Sequence, residues 1–354
     1  MTTSVGTFAG LQILDRAADL PAEWDTLSGD NFYLRSTFLQ FIETVDSCEQ
    51  RYCIFRDARG VIDTILMTYV RHDFNLFMFT PIRAALRVTF IYVPLSVTRP
   101  GYAGHEQMLP EVAAYLRAIK GYKVFLNTRR GFRLEGFAQT TTFPRCMLRL
   151  RWNRFEDYLE SMRSGYRRRY RIALRKSQPL TYRMLADNRE FNDELYRLYE
   201  QVYDNSPYRI EKLSKSFFQG PHCKIFVYEL AARPVGFVQL IENGSELIFE
   251  FVGFDHALNG QYDIYISLLL RIVEHGIANG FKIINFGQTA DEAKLKLGSR
   301  YRPLFALLHH SNVVTNFLTR LFINAIGYKP LDQDKFHIFK DQTNRPAAEE
   351  QAHG

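Results

Sequence analysis

The sequence predicts a mixed α/β fold in which one structural unit occurs twice. Residues 247–289 alternate as apolar strand, polar loop, amphipathic helix, tight turn, strand and polar loop. Residues 118–127 resemble residues 277–285, because a glycine, an aromatic residue and a lysine lead into an apolar run in both. Similar hairpins precede the two copies, at residues 52–62 and 224–236. We therefore expect two domains, each with a mixed central sheet flanked by helices.

The composition agrees with this organisation. A chain of 354 residues has room for two domains that each bury a core, and an apolar content of 46% is typical of a globular protein. The longest apolar runs, residues 84–97 and 313–326, contain polar interruptions and are too short to span a bilayer. No secretory signal is visible at the N-terminus, so we expect a cytoplasmic protein. Four cysteines and nine histidines lack metal-ligand spacing, which predicts neither a metal nor a redox cofactor.

The first domain is predicted to cover residues 1–146. Its expected elements are a strand at 10–14, helices from 21 and at 36–45, strand pairs through 79, a strand at 88–94, a helix at 106–119, and strands at 123–127 and 146–150. The turn 57–60 joins the first strand pair.

The second domain is predicted to cover residues 147–330, followed by a polar tail at 331–354 that is disordered from about residue 342. Its expected elements are helices at 155–162 and 164–177, a strand at 181–186, a helix at 189–203, the hairpin from 224, a strand at 247–254, a helix at 264–278, and strands at 282–286 and 303–310. A last amphipathic helix is expected at 313–326.

The helix at 164–177 carries the densest positive charge of the chain. Seven basic residues and no acid lie between Arg163 and Lys176, although the net charge of the whole chain is only +7. Such a run indicates either a site for phosphate-rich ligands or nucleic acid, or a solvated helix face. We favour the anion site, because Arg168, Arg171 and Arg175 share one helical face and guanidinium groups pair bidentately with phosphate.

Three local motifs, the basic helix at 163–176, residues 261–268 and residues 286–298, resemble those of the GNAT acyltransferase superfamily, and within it the Fem-type (FemAB-like) branch with tandem domains. The basic helix is similar to the Arg-x-x-x-Arg-Lys segment of that branch, and Gln261–Leu268 resembles the Asn-Asp-x-x-Tyr-Trp segment that opens a helix. Phe286–Thr289, followed by Lys294–Gly298, resembles Phe-Gly-Arg-Ser followed by Lys-Lys-x-x-Gly. The resemblance covers most of residues 155–310 and implies two tandem GNAT-like domains, the first degenerate.

The chain also departs from the family pattern. The pyrophosphate loop Gln/Arg-x-x-Gly-x-Gly/Ala of ordinary GNAT enzymes is absent, and residues 258–263 stand in its place. The long helical hairpin that cell-wall Fem transferases insert near the basic helix has no room here.

Acyl transfer to an amine needs a base for the ammonium group and donors for the tetrahedral oxyanion. Glu250 is the first choice for the base, because burial in an apolar strand is expected to raise its pKa towards neutrality. An arginine partner across the sheet is the alternative explanation. Asp255 is the second choice, as a base or a contact for the substrate ammonium, and otherwise a turn residue. Tyr301 is a candidate proton donor for a thiolate leaving group.

Further residues are predicted to hold the donor. Backbone N–H groups from Tyr262 to Tyr265 are expected to face a pyrophosphate or carbonyl, although Asp263 is more simply explained as a helix cap. Lys294 and Lys296 are expected in a loop after the last strand, covering the cleft, with an ordinary solvated helix end as the alternative. The predicted donor-binding residues are Arg168, Arg171, Arg175, Gln261, Tyr262, Asp263, Gln288, Thr289, Lys294 and Lys296.

The resemblance implies an N-acyltransferase that uses acyl-CoA, or a related thioester, as co-substrate. The acceptor would be a primary amine of a small molecule or of an envelope or polysaccharide precursor. Two alternatives remain open: an aminoacyl-tRNA-dependent transferase of the Fem type, in which the basic helix binds tRNA, and a non-catalytic scaffold in envelope polysaccharide assembly. The sequence does not predict the oligomeric state.

Overall fold

The computed structural model describes residues 10–45, 49–208 and 212–341. The chain folds into two compact units. Unit 1 contains the described residues up to Pro144 together with Pro303–Pro330, and unit 2 contains Arg145–Arg302 together with the described residues from Leu331 onwards. Each unit is therefore built from two separate stretches of chain.

Strands and helices are interspersed along the chain. The strands are β1 (Leu11–Leu14), β2 (Arg51–Arg56), β3 (Ile62–Asn75), β4 (Ala85–Ile91), β5 (Tyr102–Gly104), β6 (Tyr122–Thr128), β7 (Ala138–Thr141), β8 (Arg145–Arg149), β9 (Thr181–Met184), β10 (Lys224–Leu230), β11 (Arg233–Asn243), β12 (Glu246–Phe254), β13 (Ile283–Asn285), β14 (Arg300–Arg302) and β15 (Phe305–His310). The α-helices are α1 (Ala22–Ser28), α2 (Ser36–Val45), α3 (Leu109–Ala118), α4 (Phe155–Ser161), α5 (Ser164–Lys176), α6 (Asp193–Asp204), α7 (Lys215–Phe218), α8 (His256–Tyr262), α9 (Ile264–Ala278), α10 (Asp291–Lys296) and α11 (Val313–Phe322). Short 3₁₀ segments lie at Ala17–Asp19, Phe32–Leu34, Glu106–Met108, Asn188–Glu190, Ile323–Ala325 and Gln333–Lys335.

Each unit contains one mixed sheet. The order in unit 1 is β1-β2-β3-β4-β6-β15-β7, with β5 beside β3, and the order in unit 2 is β14-β8-β13-β12-β11-β10-β9. In both sheets a hairpin and a third antiparallel strand lead to one parallel neighbour, β6 beside β4 and β13 beside β12. A helix precedes each of these parallel strands, as a crossover connection requires. The predicted fold class, two mixed sheets flanked by helices, is confirmed.

The division of the chain differs from the predicted one at its end. Residues 303–330 were expected in the second domain, whereas β15 hydrogen-bonds to β6 and β7 in the sheet of unit 1. Residues 331–341, predicted as part of a polar tail, pack in unit 2, where Ile338 and Phe339 are buried and Phe339 bridges to Met162. The predicted disordered segment from residue 342 lies outside the described residues.

Helices cover both faces of the unit 2 sheet. Helix α9 packs on β11, β12 and β13 together with α4 and α5, and its apolar face joins the core of the unit. Helix α6 packs against β11 and β12, and β12 alternates its side chains between the two helical layers. Two glycines permit close packing: a Cβ on Gly236 would lie 2.7 Å from Ile264 Cγ2, and one on Gly253 would lie 2.6 Å from the backbone nitrogen of Tyr199.

None of the helices among residues 10–45, 49–208 and 212–341 combines the length and the apolar character needed to cross a membrane.

Candidate active site

The sheet of unit 2 parts beside β12. Strands β12 and β13 run parallel and pair only from Glu246–Ile283 to Ile248–Asn285. Strand β13 ends there, whereas β12 continues to Phe254 and pairs with β11 along its full length. The sheet therefore opens at the carboxyl ends of two adjacent parallel strands, which is where open α/β sheets bind ligands.

A β-bulge lies at the level of this opening. Leu240 pairs with Phe249 and Gln239 pairs with Phe251, so Glu250 is the extra residue between the two pairs. Bulges re-aim side chains and occur often beside active sites. Glu250 is half-buried, and its role as the base stays a prediction.

A polar cluster that the sequence did not reveal adjoins Glu250. Burial, together with the nearby Glu250 carboxylate, raises the pKa of the Cys223 thiol to about 12. The Cys223 Sγ lies 2.9 Å from Gln239 Nε2 and 3.4 Å from Asn188 Nδ2. Gln239 is 1% exposed, and its Oε1 has no hydrogen-bond partner among the described residues. A glutamine within the apolar strand 235–241 is a sequence signal that could have identified this cluster.

Lys294 lies in a second cluster, and its surroundings differ from those predicted. It belongs to helix α10 rather than to a loop, and it is 3% exposed. Its Nζ donates to the Gln288 carbonyl at 2.7 Å and lies 5.7 Å from the centre of the Phe249 ring. Burial lowers the pKa of Lys294. The predicted covering loop is therefore a helix, and the alternative of a solvated helix end is wrong for Lys294.

Tyr301 and Asp291 belong to the same buried cluster. The Tyr301 hydroxyl donates to Asp291 Oδ2 at 2.9 Å, and both residues are buried. Burial raises the pKa of the Cys146 thiol to about 12, while the positive charge of Lys294 acts in the opposite direction. The hydroxyl predicted to protonate a leaving group is therefore already engaged with a carboxylate.

The two clusters lie on different faces of the sheet. Phe249, which Lys294 contacts, belongs to the core formed with α9. Phe251 instead contacts Tyr199, Phe217 and Phe218 in the layer of α6 and α7. Gln239 lies between Val238 and Leu240, which face the α9 core, so its side chain faces the α6 side. Glu250 and Lys294 were expected to share one slot, and the described contacts do not bring them together.

The entry to α9 also differs from the prediction. Residues 256–262, predicted as a loop, form helix α8, whose N-cap is Asp255; its carboxylate accepts from the N–H groups of Ala257 and Leu258. Asp263 occupies the N-cap position of α9, but its side chain makes no capping hydrogen bond. It adopts a left-handed conformation with φ of 48° and pairs with Lys176 at 3.2 Å. Asn259 Oδ1 accepts from the Tyr265 N–H at 2.9 Å. One of the backbone N–H groups predicted to face a pyrophosphate or carbonyl is therefore already hydrogen-bonded within the protein.

The remaining predicted donor-binding residues lie at two loops. Gln261 is exposed and donates from Nε2 to the Tyr262 hydroxyl at 3.1 Å. Gln288 and Thr289 follow β13 after Phe286 and Gly287, and Thr289 has a φ of 61°. A positive φ is an outlier for a β-branched residue, and such strain is concentrated at functional sites. Lys296 pairs with Glu292 at 2.6 Å at the surface.

The arginines of α5 point away from the core of unit 2. Arg168 and Arg175 are exposed, on the side of the helix opposite the buried Tyr170 and Ala173. Neither has an ion-pair partner among the described residues. Arg171 instead pairs with Glu156 and Glu160 of α4. The three arginines therefore differ in their ion pairing, although the sequence places them on one helical face.

A cleft of about 440 Å³ lies elsewhere in unit 2, between the ends of α10 and α5 and the segment 334–341. Its polar lining includes Arg163, Ser299, Arg300 and His337. None of the predicted site residues lines it.

The parted parallel strands, the bulge and the helix that follows are typical of an acyltransferase domain of the GNAT class. Residues 160–295 match the family described as acetyltransferase (GNAT) domain. The predicted superfamily and the prediction of an acyltransferase are thereby confirmed.

Comparison with solved structures gives distant relatives of the same fold. The chain is similar to the C-terminal domain of a candidate lysylphosphatidylglycerol synthetase from Agrobacterium fabrum, with 12% identity, a TM-score of 0.50 and coverage of 86% of this chain and 95% of that one. A conserved protein of unknown function from Bacteroides thetaiotaomicron has 11% identity, a TM-score of 0.50 and coverage of 84% and 98%. FemX has 9% identity, a TM-score of 0.43 and coverage of 77% and 90%. Comparison with curated protein sequences finds no match.

Proposed function

We propose that unit 2 transfers an acyl group from acyl-CoA to a primary amine, with Glu250 as the general base. The observation that carries this proposal is the bulge at Glu250, beside the point where β12 and β13 part. In the reaction, Glu250 takes a proton from the ammonium group. The neutral amine then attacks the thioester carbonyl and a C–N bond forms. As the tetrahedral intermediate collapses, the C–S bond breaks, the nitrogen loses its second proton, and the CoA thiolate takes up a proton through solvent and leaves as the thiol.

The surroundings of Glu250 suit this chemistry. A bulge leaves its extra residue outside the regular ladder, and backbone N–H groups released in this way can stabilise a tetrahedral oxyanion. Gln239 Oε1 is buried without a partner among the described residues and supplies an acceptor for the amine. Gln288 and Thr289 follow the end of β13 in the chain. The acceptor amine is proposed to belong to a small molecule or to an envelope precursor.

Binding of the donor is tested by thermal unfolding. A ligand at a hundredfold excess over its Kd stabilises the folded state by about 2.7 kcal/mol. We therefore expect acetyl-CoA or a longer acyl-CoA to raise the melting temperature by several degrees. Acetyl phosphate, which carries an activated acyl group without CoA, serves as the control and should leave the melting temperature unchanged. Failure of every CoA thioester to shift the transition would refute CoA as the donor carrier.

One feature favours a second candidate donor, aminoacyl-tRNA. Arg168 and Arg175 are exposed and have no ion-pair partner among the described residues, as expected for contacts with a nucleic-acid backbone. In addition, the Tyr265 N–H group, which was predicted to face the pyrophosphate of CoA, donates to Asn259 Oδ1 instead.

Salt dependence distinguishes this candidate. If tRNA binds along α5, the logarithm of its affinity should fall linearly with the logarithm of the salt concentration. Arg168→Ala and Arg175→Ala should each reduce the slope by about 1. Arg171→Ala is the matched control, since Glu156 and Glu160 already pair with that guanidinium. If the affinity for tRNA changes neither with the salt concentration nor in the Arg168→Ala and Arg175→Ala variants, aminoacyl-tRNA is excluded as the donor.

A further inference from the structure

Helix α11 of unit 1 is oriented with its polar side inward. Thr319 is its buried residue, and Thr315 and Asn316 are half-buried. Asn316 Oδ1 accepts from the His310 N–H at 3.0 Å, and Thr319 Oγ1 lies 3.4 Å from the Tyr122 hydroxyl. Hydrogen bonds, rather than apolar contacts, therefore hold much of the inner face of this helix on the sheet.

The outer face of α11 is apolar and exposed. At 100° per residue its members occupy about half of the helix circumference, opposite the residues that face the sheet. Their exposed fractions range from 46% to 82%: Val313, Val314, Phe317, Leu318, Leu321 and Phe322. An exposed apolar patch of this kind marks an interaction surface.

The surroundings of this face are basic. No Asp or Glu occurs from residue 303 to residue 331, and none occurs from residue 74 to residue 105. Residues 74–105 lie close to the segment that follows α11, since the Phe79 ring lies 5.3 Å from the Tyr328 ring. Arg320 and Lys329 in one stretch and Arg83 in the other are exposed.

One acid lies near the inner face of α11. Asn316 donates to the Gly136 carbonyl, and Glu135 precedes that glycine in the chain. Glu135 pairs with Arg117 at 2.8 Å, so its charge is offset within unit 1.

We propose that α11 docks unit 1 on an anionic lipid bilayer, lying in the plane of the interface with Phe317 and Leu321 at the centre of the inserted face. Amphipathic helices bind membranes through buried apolar area and through the attraction of basic side chains to anionic lipids. A second copy of the chain is a less suitable partner. Pairing two α11 faces would bring their basic surroundings together, and these would repel each other.

Sedimentation of the full-length chain with vesicles tests this proposal. Vesicles of phosphatidylcholine with phosphatidylglycerol should bind the protein, and vesicles of phosphatidylcholine alone should bind it at least tenfold more weakly. The double variant Phe317→Asp/Leu321→Asp should lose at least a hundredfold in affinity, because two large apolar side chains no longer enter the bilayer. Arg320→Ala should lose about fivefold.

Val61→Asp is the matched control. Val61 is 59% exposed in the β2–β3 turn of the same unit, outside α11, and its substitution should leave vesicle binding unchanged. Circular dichroism should show that all variants stay folded, since each replaced side chain is exposed. Absence of vesicle binding would overturn the proposal. So would equal binding to both lipid compositions, or a concentration-dependent dimer that the double variant abolishes.

Discussion

We expect the Glu250→Gln variant to lose about a hundredfold to ten-thousandfold in acyl-transfer turnover, the range that a general base contributes. Glutamine keeps the shape of the side chain but cannot accept the ammonium proton. The melting temperature should change little, because the bulge itself is set by the pairing of Leu240 with Phe249 and of Gln239 with Phe251. Release of free CoA thiol from acetyl-CoA in the presence of a primary amine measures the turnover.

Glu229→Gln provides the matched control for this substitution. Glu229 is also half-buried on a strand of the unit 2 sheet, but it pairs with Arg183 at 2.9 Å. Turnover of this variant should remain close to that of the wild type. If Glu250→Gln retains full turnover as well, another group takes the proton. A scaffold without activity would show no turnover in any of these proteins, including the wild type.

The Asp291→Ala variant is expected to lose about 3 to 5 kcal/mol in the free energy of unfolding. Asp291 is buried beside Lys294, whose ammonium group is also buried, and it accepts a hydrogen bond from Tyr301. The substitution removes the negative charge that offsets Lys294 and leaves the Tyr301 hydroxyl without this acceptor. Urea denaturation, monitored by fluorescence or circular dichroism, measures the loss.

Glu292→Ala tests whether this effect depends on burial. Glu292 is the next residue of α10, but it is exposed and pairs with Lys296 at the surface. Its removal should change the free energy of unfolding little, since exposed ion pairs contribute little to stability. If Asp291→Ala and Glu292→Ala lose the same free energy of unfolding, the buried cluster around Asp291 does not stabilise the fold as described. For the same reason, Lys294→Ala tests stability rather than catalysis.

Much of the fold could be predicted because it depends on local patterns. The hairpins, the two parallel strands and the helices before them follow from apolar periodicity and turn residues, and the structure confirms the mixed sheets. The position of β15 could not be predicted in this way. Which sheet accepts a strand depends on long-range hydrogen bonds, in this case with β6 and β7.

The candidate site could be predicted only in part. Glu250 stands out as a carboxylate in an apolar strand, but its bulge depends on register with β11, which the sequence of one strand does not specify. Lys294 is expected in a loop that covers the cleft, whereas it lies on α10, where tertiary packing buries it and its Nζ donates to the Gln288 carbonyl. Asp255 and Asn259 share the capping role expected of Asp263. The roles proposed for these side chains in binding and catalysis remain predictions.

The position of β15 between β6 and β7 affects the order of events during synthesis. This strand lies in the interior of its sheet, yet it is translated after all of β8–β14. The ribosome must therefore translate the chain through His310 before the earlier sheet can close. Until then β6 and β7 lack the strand that joins them, and their unpaired edges are open to aggregation. Chaperone protection of the nascent chain would be most valuable during this interval.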